Sequence, residues 1–545
     1  MCSLSAVDMT AASPARFADY RKTWGHDAIY KKTVPPEAKS GQSMIGYEFL
    51  LSRIPLRMPP LDRPAQVRSV TRIERMSELL AVPRQVAPAD GASLLEHVLF
   101  ALKHEDTRLD ILHEALKQVP ADELVQALAA QRQGAYLRRA AFIWEKANGQ
   151  SLPLPWDSTG GNYVDFFEPG SWYTGPPWER SRKYRVTFNG VGPYEFCPVV
   201  RRDVALERRG QAVLERLRTW ASDPRNQGLL DRVMSWAYLS ETRDSYAIEN
   251  EAPAPDKERA FLQAMEQLRD RRPLSEDYLV GLQNLVITSA IKQEYAFRHQ
   301  QNWLQRGGHG ALAVRYLPPP PAEVGALMDG LMRMANTPGG DVPPLVKAAL
   351  VSFGFVFVHP FMDGNGRVSR LLAHHSLSFQ GALPTVNGNP AILPLSVAMK
   401  RHETDYLAAL EAFSRPARQL WDVTYIADNE FGFDFRSSPQ VYAHWNGAAA
   451  AEFVTRCAEQ ALEQSVVEET AYLQGYDRAY ARIDREFDLP NRTINLLIQW
   501  IHQNNGRMPE RRRNAAELLP LTPQQIERIE AVVADCFSRD DNTGN

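Results

Sequence analysis

The chain has 545 residues, which is the length of about two to four domains and too long for one ordinary core. Hydrophobic residues make up 44% and charged residues 23%, so the composition excludes a disordered or membrane-embedded protein. The formal net charge of -3 gives no overall basic field of the kind that drives non-specific nucleic-acid binding.

The cysteines and the N-terminal sequence indicate a protein of the reducing cytoplasm. The four cysteines lie far apart and none belongs to a CxxC pair, so neither a disulfide framework nor a zinc site is predicted. The N-terminus has no cationic segment followed by an apolar run, and no stretch reaches the roughly 20 apolar residues of a membrane helix. We therefore expect a cytoplasmic location and no membrane association.

The first 150 residues are predicted to form a mainly helical N-terminal domain. Ser93 and Glu96 form a capping-box pair ahead of an apolar helical pattern. Residues 151–205 are rich in Pro, Gly and aromatic residues, which predicts an ordered, aromatic-packed connector. Its last part, YRVTF before Asn189-Gly190, predicts a β-hairpin.

Helical periodicity returns near residue 206 and continues to about 425, with an interruption at the run Pro318–Pro321. We take 206–425 as the central domain. Residues 426–545 contain amphipathic stretches such as 491–503, which predict a helical C-terminal domain. The predicted fold class is therefore mainly α.

The segment from Val342 to Gln380 carries the clearest chemistry. Two prolines precede a strongly apolar helix that ends at HPFMDGNGR, and a second helix follows. A loop with Gly364, Asn365 and Gly366 just before a helix can turn backbone N–H groups toward an anion, and the helix dipole adds positive potential there. The pattern predicts a phosphate cradle.

Charged residues around this loop fit a metal–nucleotide site. Arg367 and Arg370 are one helical step apart, so both guanidinium groups can reach the same anion. Asp363 offers a hard oxygen ligand, and one carboxylate combined with substrate phosphates is how Mg²⁺ is usually held. His359 can take a proton near neutral pH. Together these residues indicate a phosphoryl or nucleotidyl transferase, and no P-loop or GxGxxG motif offers another explanation.

The run HPFMDGNGRVSR, residues 359–370, resembles the signature HPFx(D/E)GNGRxxR of Fic proteins and meets every fixed position. The resemblance extends over roughly 206–425. It implies a helical-bundle core with a small β-hairpin flap, flanked by helical N- and C-terminal regions. It also implies a protein adenylyltransferase that uses ATP and Mg²⁺ to transfer AMP onto a Ser, Thr or Tyr hydroxyl of a target protein, with release of pyrophosphate.

The same resemblance implies roles for the residues before the glycines. His359 is expected to deprotonate the target hydroxyl, which attacks the α-phosphate of ATP. Asp363 is expected to bind Mg²⁺. Pro360 and Phe361 are expected to anchor the loop in the core.

The remaining motif residues are expected to hold the triphosphate. The backbone of Gly364 to Gly366 and the side chain of Asn365 would bind the α- and β-phosphates. Arg367 and Arg370 would bind the β- and γ-phosphates. The intact second glycine favours this branch over the kinase-like branch of the family, in which a lysine replaces it.

A second segment, Ser245 to Asn250, resembles the inhibitory motif (S/T)xxxE(G/N) of Fic proteins whose regulatory helix precedes the signature. Ser245 and Glu249 share one helical face. The resemblance implies that Glu249 pairs with Arg370 and takes the space that the γ-phosphate needs. In some relatives the same Glu supports removal of AMP, so deAMPylation stays open.

The segment Arg298 to Tyr316 predicts two short extended runs around Gly307, Gly308 and Gly310, and it resembles the Fic flap. The exposed edge of such a hairpin can accept a target segment as an extra strand. The flap residues considered as target contacts are Gln301, Asn302 and Trp303, with packing as the alternative for Trp303.

Other functions also remain open. The chain could transfer another nucleotide or phosphate-containing group, or be a DNA-binding or toxin-antitoxin regulator with a vestigial Fic site. The net charge gives nucleic-acid binding no support, although a winged-helix-like C-terminal module could carry it. The basic cluster concerned is Arg507, Arg511, Arg512 and Arg513. Self-modification and a homodimer are further options.

Overall fold

The computed structural model describes residues 44–287, 289–305, 307, 309–427, 430–512, 515 and 521–538. Throughout this part of the chain the fold is mainly α, with strands only in small sheets of two or three. The predicted fold class is confirmed. None of the helices described is both long and apolar enough to cross a membrane.

The N-terminal region has five helices and six short strands among the described residues. The helices are α1 (Gly46–Arg53), α2 (Leu94–His104), α3 (Leu109–Leu116), α4 (Ala121–Ala130) and α5 (Ala135–Asn148). The strands are β1 (Ala65–Val67), β2 (Glu74–Arg75), β3 (Leu80–Val82), β4 (Val164–Asp165), β5 (Glu179–Ser181) and β6 (Val186–Phe188). In each sheet the last strand lies in the middle, parallel to the first and antiparallel to the second.

Local rules explain the start of α2 and the packing that follows α5. The Ser93 hydroxyl accepts from the Glu96 N–H, and the Glu96 carboxylate accepts from the Ser93 N–H, which confirms the capping box. The predicted aromatic packing of the connector is confirmed, because the Phe166 and Phe188 rings pack against each other and against Phe142 of α5.

The turn predicted for the connector hairpin is wrong. Strand β6 pairs with the preceding strand β5, so the turn lies at residues 182–185 and not at Asn189-Gly190. Arg185 has a φ of +52° in this turn. The buried Asn189 side chain accepts from the Phe167 N–H and donates to the Phe167 carbonyl, so it fixes the backbone that follows β6.

The central region carries nine described helices and six strands. The helices are α6 (Val204–Ser222), α7 (Leu230–Ile248), α8 (Pro255–Glu266), α9 (Glu276–Val286), α10 (Pro321–Asn336), α11 (Pro344–Val358), α12 (Asn365–Phe379), α13 (Leu395–Arg401) and α14 (Glu403–Arg418). The strand pairs, all antiparallel, are β7 (Leu304–Gln305) with β8 (Val314–Tyr316), β9 (Thr385–Val386) with β10 (Asn389–Pro390), and β11 (Trp421–Ala427) with β12 (Glu430–Phe435).

The central hydrophobic core continues beyond the predicted domain boundary at residue 425. Strand β11 crosses this position, and the hairpin β11–β12 is not predicted from the sequence. Buried residues of the same core continue to Leu473. The helix Ala448–Ala461 of the C-terminal part packs against α11. The domain boundaries themselves stay predictions.

The C-terminal part consists of helices in the described residues. They are α15 (Gln440–Ala443), α16 (Ala448–Ala461), α17 (Glu468–Glu486), α18 (Asn491–Gln503) and α19 (Pro523–Ser538). The apolar face predicted for residues 491–503 is confirmed, since its four residues are fully buried in a separate small core: Ile494, Leu497, Ile498 and Ile501.

Candidate active site

Helices α11 and α12 place the signature at the centre of the fold. Helix α11 is buried along nearly its whole length and begins with Pro344, whose fixed φ suits the first helical position. It ends at His359, where φ is +52° and the N–H donates to the Phe355 carbonyl at 2.9 Å. A left-handed conformation costs a non-glycine residue about 1 kcal/mol, so the surrounding contacts must hold His359 in place.

Two asparagine side chains fix the loop after His359. The Asn365 side chain accepts from the Phe361 N–H at 3.0 Å and donates to the Phe361 carbonyl at 2.7 Å. Asn302 donates to the same carbonyl at 2.9 Å. The Phe361 ring is buried against Phe297 and Phe355, as expected of a loop anchor. Both polar atoms of the Asn365 side chain bind the loop backbone, and its phosphate contact stays a prediction.

His359 has the protonation state of a base. Its Nδ1 lies 3.0 Å from the Val356 carbonyl, and since a carbonyl only accepts, Nδ1 carries the proton. The lone pair is therefore on Nε2. Burial lowers the pKa of His359 to about 4, and the positive charge of Arg298 contributes in the same direction. The imidazole is neutral at physiological pH and ready to accept a proton.

Asp363 is ionised and already paired. Its carboxylate lies 2.5 Å from the Lys292 ammonium and accepts from the Gly364 N–H at 2.6 Å. Burial opposes ionisation of Asp363, but the bonds from Lys292 and Gly364 outweigh it and hold its pKa below the usual value. Lys292 is not predicted from the sequence, which contains no rule that pairs residues 71 positions apart.

The inhibitory segment reaches the signature arginine that was predicted for it. Arg370 is buried, and its Nη2 donates to Glu249 at 3.0 Å and to the Ser245 carbonyl at 2.7 Å. Its Nε donates to the Ser245 hydroxyl at 2.9 Å. Asn250 follows with a φ of +58°, a conformation that Asn and Gly tolerate best, which gives a physical reason for Gly or Asn at this position of the motif.

The Glu249 carboxylate occupies the N-terminal turn of α12. A Cβ added to Gly366 would lie only 2.2 Å from Glu249 Oε1, so the glycine leaves room for this oxygen. Gly364, which precedes the first residue of α12, has a φ of +82°. The N-terminus of a helix attracts anions through its free N–H groups and its dipole. The predicted anion site is therefore filled by a carboxylate of the chain itself.

Arg367 holds a different carboxylate, which the sequence pattern does not predict. Its Nη1 lies 2.8 Å from Glu251 and donates to the Val286 carbonyl at 3.2 Å. The two signature arginines therefore do not share one anion in this structure, because Glu249 and Glu251 each neutralise one of them. The sequence signal that could have revealed this second pair is spacing. Glu249 and Glu251 are two residues apart, and the arginines that they pair with, Arg370 and Arg367, are three residues apart.

The residues present fit a nucleotide with Mg²⁺. Arg370 Nη1 is buried without a partner at hydrogen-bonding geometry among the described residues, so it has a donor left for a phosphate oxygen. No group of three or more acidic, His or Cys side chains that could hold a metal is found in the described part. Asp363 would then share Mg²⁺ with phosphate and water oxygens, which is the usual arrangement for this ion.

The flap is shorter than predicted and its side chains bind inward. Strands β7 and β8 pair over two to three residues, and a turn of 3₁₀ helix (Gly310–Ala313) lies between them. Gln301 donates to the Pro318 carbonyl, and the Trp303 ring packs against the rings of Phe431 and Phe433 in β12. Together with the loop contact of Asn302, these contacts give all three residues a supporting role in the fold, and their target contacts stay predictions. Gly308 of the predicted turn lies outside the described residues.

Two other groups of candidate residues lie apart from the chemistry. His374 is buried and bonds to Glu241 of α7, while His375 bonds to the Arg272 carbonyl, so both act in packing. In the C-terminal basic cluster, Arg512 stacks on Trp500. Arg507 and Arg511 are exposed, and Arg513 lies outside the described residues.

The lowered pKa of His359 gives a direct test of its assigned state. An ordinary histidine titrates with a pKa of about 6.5, so its ring resonances shift between about pH 8 and 5.5. Because burial disfavours the charged ring, we expect the His359 ring signal to stay constant over this range and to shift only near pH 4. Ring-carbon NMR with isotope-labelled histidine measures this. Free histidine in the same buffers is the control.

The chain matches known proteins around this site. The family model described as Fic/DOC family matches residues 273–377. Curated relatives from Drosophila sechellia and Drosophila melanogaster, both named protein adenylyltransferase Fic, are each 36% identical over 91 residues. This match covers 16% of the present chain and 17% of each relative.

Similar folds occur among solved structures. A Fic family protein from Desulfovibrio desulfuricans G20 is 16% identical, with a TM-score of 0.35, over 61% of this chain and 85% of its own. A Fic domain-containing signaling protein from Bacteroides thetaiotaomicron VPI-5482 is 18% identical, with a TM-score of 0.34, over 48% of this chain and 95% of its own. The matched residues 273–377 include the complete signature at residues 359–370, so this part of the chain is similar to the Fic/DOC family.

Proposed function

We propose that this protein transfers AMP from ATP to a Ser, Thr or Tyr hydroxyl of a target protein, releases pyrophosphate, and is held inactive by Glu249. The Fic/DOC match and the name of the curated relatives support adenylyl transfer. The observation that carries the proposal is the Glu249 carboxylate, which lies on Arg370 and on the N-terminal turn of α12. A site built to hold a carboxylate there can hold a phosphate in its place.

His359 is the base in the proposed reaction. Its Nε2 lone pair takes the proton of the target hydroxyl as the hydroxyl oxygen bonds to the α-phosphorus of ATP. The bond from the α-phosphorus to the bridging oxygen breaks, and pyrophosphate leaves with the electron pair. The neutral state of His359 keeps the base available throughout the physiological pH range.

The rest of the site neutralises charge. The N–H groups that begin α12, together with Arg367 and Arg370, would bind the phosphates. Mg²⁺ bound at Asp363 supplies positive charge that offsets part of the charge of the triphosphate. Lys292 and the two carboxylates must then give up their present partners.

Inhibition is proposed to use both carboxylates. A phosphate that binds Arg370 must displace Glu249, and one that binds Arg367 must displace Glu251. The sequence motif accounts only for Glu249. Opening of residues 249–251 as one segment would free both arginines together.

A target segment is proposed to lie along the flap at β7, where both residues, Leu304 and Gln305, are exposed. The cysteines that the structure describes, Cys197, Cys457 and Cys536, are unpaired thiols, which supports a cytoplasmic setting.

Replacing the base should stop transfer without stopping nucleotide binding. In a Glu249→Gly background we expect His359→Ala to lower the rate of AMP transfer by about 10² to 10⁴, because general-base catalysis contributes this much. The ATP affinity should stay within about twofold, since the phosphate-binding groups remain. Incorporation of ATP labelled at the α-phosphate, into the protein itself and into a cell lysate, measures transfer, and calorimetry measures binding. Turnover equal to that of the Glu249→Gly parent would remove His359 from the mechanism.

Removing the carboxylates should activate the protein. We expect Glu249→Gly to raise AMP transfer and tighten ATP binding roughly tenfold, since a hydrogen bond to a charged group is worth about 1.5 kcal/mol or more. Glu251→Gln should give a smaller gain, and the double variant the largest. Glu258→Gln is the matched control, because Glu258 pairs with the exposed Arg243 on neighbouring helices.

Four outcomes would count against this scheme. Unchanged transfer in Glu249→Gly would contradict inhibition by Glu249, and an equal gain in Glu258→Gln would make the effect non-specific. Release of AMP from a modified protein, with no transfer by any variant, would indicate deAMPylation. If ATP gives no label and another labelled nucleotide does, that nucleotide is the donor and ATP is not.

A further inference from the structure

Arg298 is a buried cation without a carboxylate partner among the described residues. Only 3% of its surface is exposed, and no ion pair is formed by its guanidinium in that part of the chain. Burial lowers its pKa to about 10, so it remains charged at neutral pH. Burying an uncompensated charge is costly, and a protein keeps such a group only where other contacts balance it.

Backbone carbonyls supply that balance. The guanidinium donates to the His359 carbonyl at 2.8 Å and to the Val358 carbonyl at 3.5 Å. The backbone N–H of Arg298 donates to the Pro360 carbonyl at 2.7 Å. These carbonyls lie at the C-terminus of α11, where carbonyls lack helical partners and the helix dipole favours a cation.

The same side chain also binds both ends of the flap. Its Nη1 donates to the Gln300 carbonyl at 3.0 Å, and its Nη2 donates to the Pro319 carbonyl at 2.6 Å. Arg298 therefore joins the beginning of the flap, the end of the flap and the segment around His359. The carbonyls on both sides of His359 are held, which fixes the left-handed backbone that orients its ring.

We propose that Arg298 is a positioning residue, which holds His359 Nε2 in register with a hydroxyl presented by the flap. It acts through the backbone and touches neither nucleotide nor target. The inference rests on the proposed adenylyl transfer for its effect on rate, but the placement of the ring can be measured independently. Such placement has large effects, since a misplacement of about 1 Å can cost roughly a hundredfold in rate.

Arg418 provides a matched control. Its guanidinium also clamps carbonyls, donating to Val314 and Ala311 of the flap region and to Trp421. These three acceptors lie outside residues 358–360, so Arg418→Lys should disturb the flap without moving His359.

The experiment compares Arg298→Lys, Arg298→Gln and Arg418→Lys in a Glu249→Gly background. We expect both Arg298 variants to lower kcat about a hundredfold while KM for ATP changes less than about threefold. The ring-carbon resonance of His359, assigned by its absence in His359→Ala, should shift in both. In Arg418→Lys the resonance should stay in place and kcat should fall less than about tenfold.

Several results would overturn the proposal. A kcat equal to that of the Glu249→Gly parent, with an unmoved His359 resonance, in both Arg298→Lys and Arg298→Gln would show that Arg298 does not position the base. Loss of the fold in both variants would make Arg298 a structural residue only, as would an equal loss of kcat in Arg418→Lys. If the Glu249→Gly parent itself transfers no AMP, adenylyl transfer fails, and the resonance alone then decides whether Arg298 sets the ring.

Discussion

The site depends on one buried guanidinium that needs an anion. Arg370 is almost fully buried between α7 and α12, and removing the partner of a buried charge typically costs several kcal/mol. Two anions can satisfy it: the Glu249 carboxylate, which the structure contains, and a nucleotide phosphate. We propose that one excludes the other, because the Glu249 carboxylate lies on this guanidinium and at the N-terminal turn of α12, in the place proposed for the phosphate. In this proposal Glu249 and the nucleotide are alternatives at a single side chain.

The other charges of the site follow the same logic. Three cations face three carboxylates, with Arg370 on Glu249, Arg367 on Glu251 and Lys292 on Asp363, and Arg367 also lies 3.3 Å from Asp363. Glu249 and Glu251 take the places proposed for phosphates, and the Lys292 ammonium takes the place proposed for a metal ion beside Asp363. These three cations are therefore neutralised and already ordered, which limits the reorganisation that binding requires. In the proposed activation, ATP phosphates replace Glu249 and Glu251, and Mg²⁺ replaces the Lys292 ammonium at Asp363.

The sequence predicted the parts of the site that depend on local rules. The signature placed His359, Asp363 and the glycines correctly around the start of a helix, and the inhibitory motif predicted the pairing of Glu249 with Arg370. The Asn365 side chain binds the loop backbone, which is a rotamer choice that spacing cannot reveal. Glu251, Lys292 and Arg298 were missed, since each contact joins segments that are distant in sequence and meet only through packing.

The fold shows the same division. Helix α18 and the capping box of α2 were predicted because periodicity and capping act within a few residues. The hairpin β11–β12 was not predicted, and its Phe431 and Phe433 pack against Trp303 of the flap, which is distant in sequence. Short strands of this kind are set by tertiary contacts more than by local propensity.

The most direct test of the central claim is a double-mutant cycle on ATP affinity, measured by calorimetry with Mg²⁺ for wild type, Glu249→Gly, Arg370→Ala and the double variant. If Glu249 and the nucleotide compete for Arg370, Glu249→Gly tightens ATP binding roughly tenfold when Arg370 is present. The same substitution should change affinity less than about twofold in the Arg370→Ala background. Equal tightening in both backgrounds would contradict the account, because Glu249 would then act through some other group.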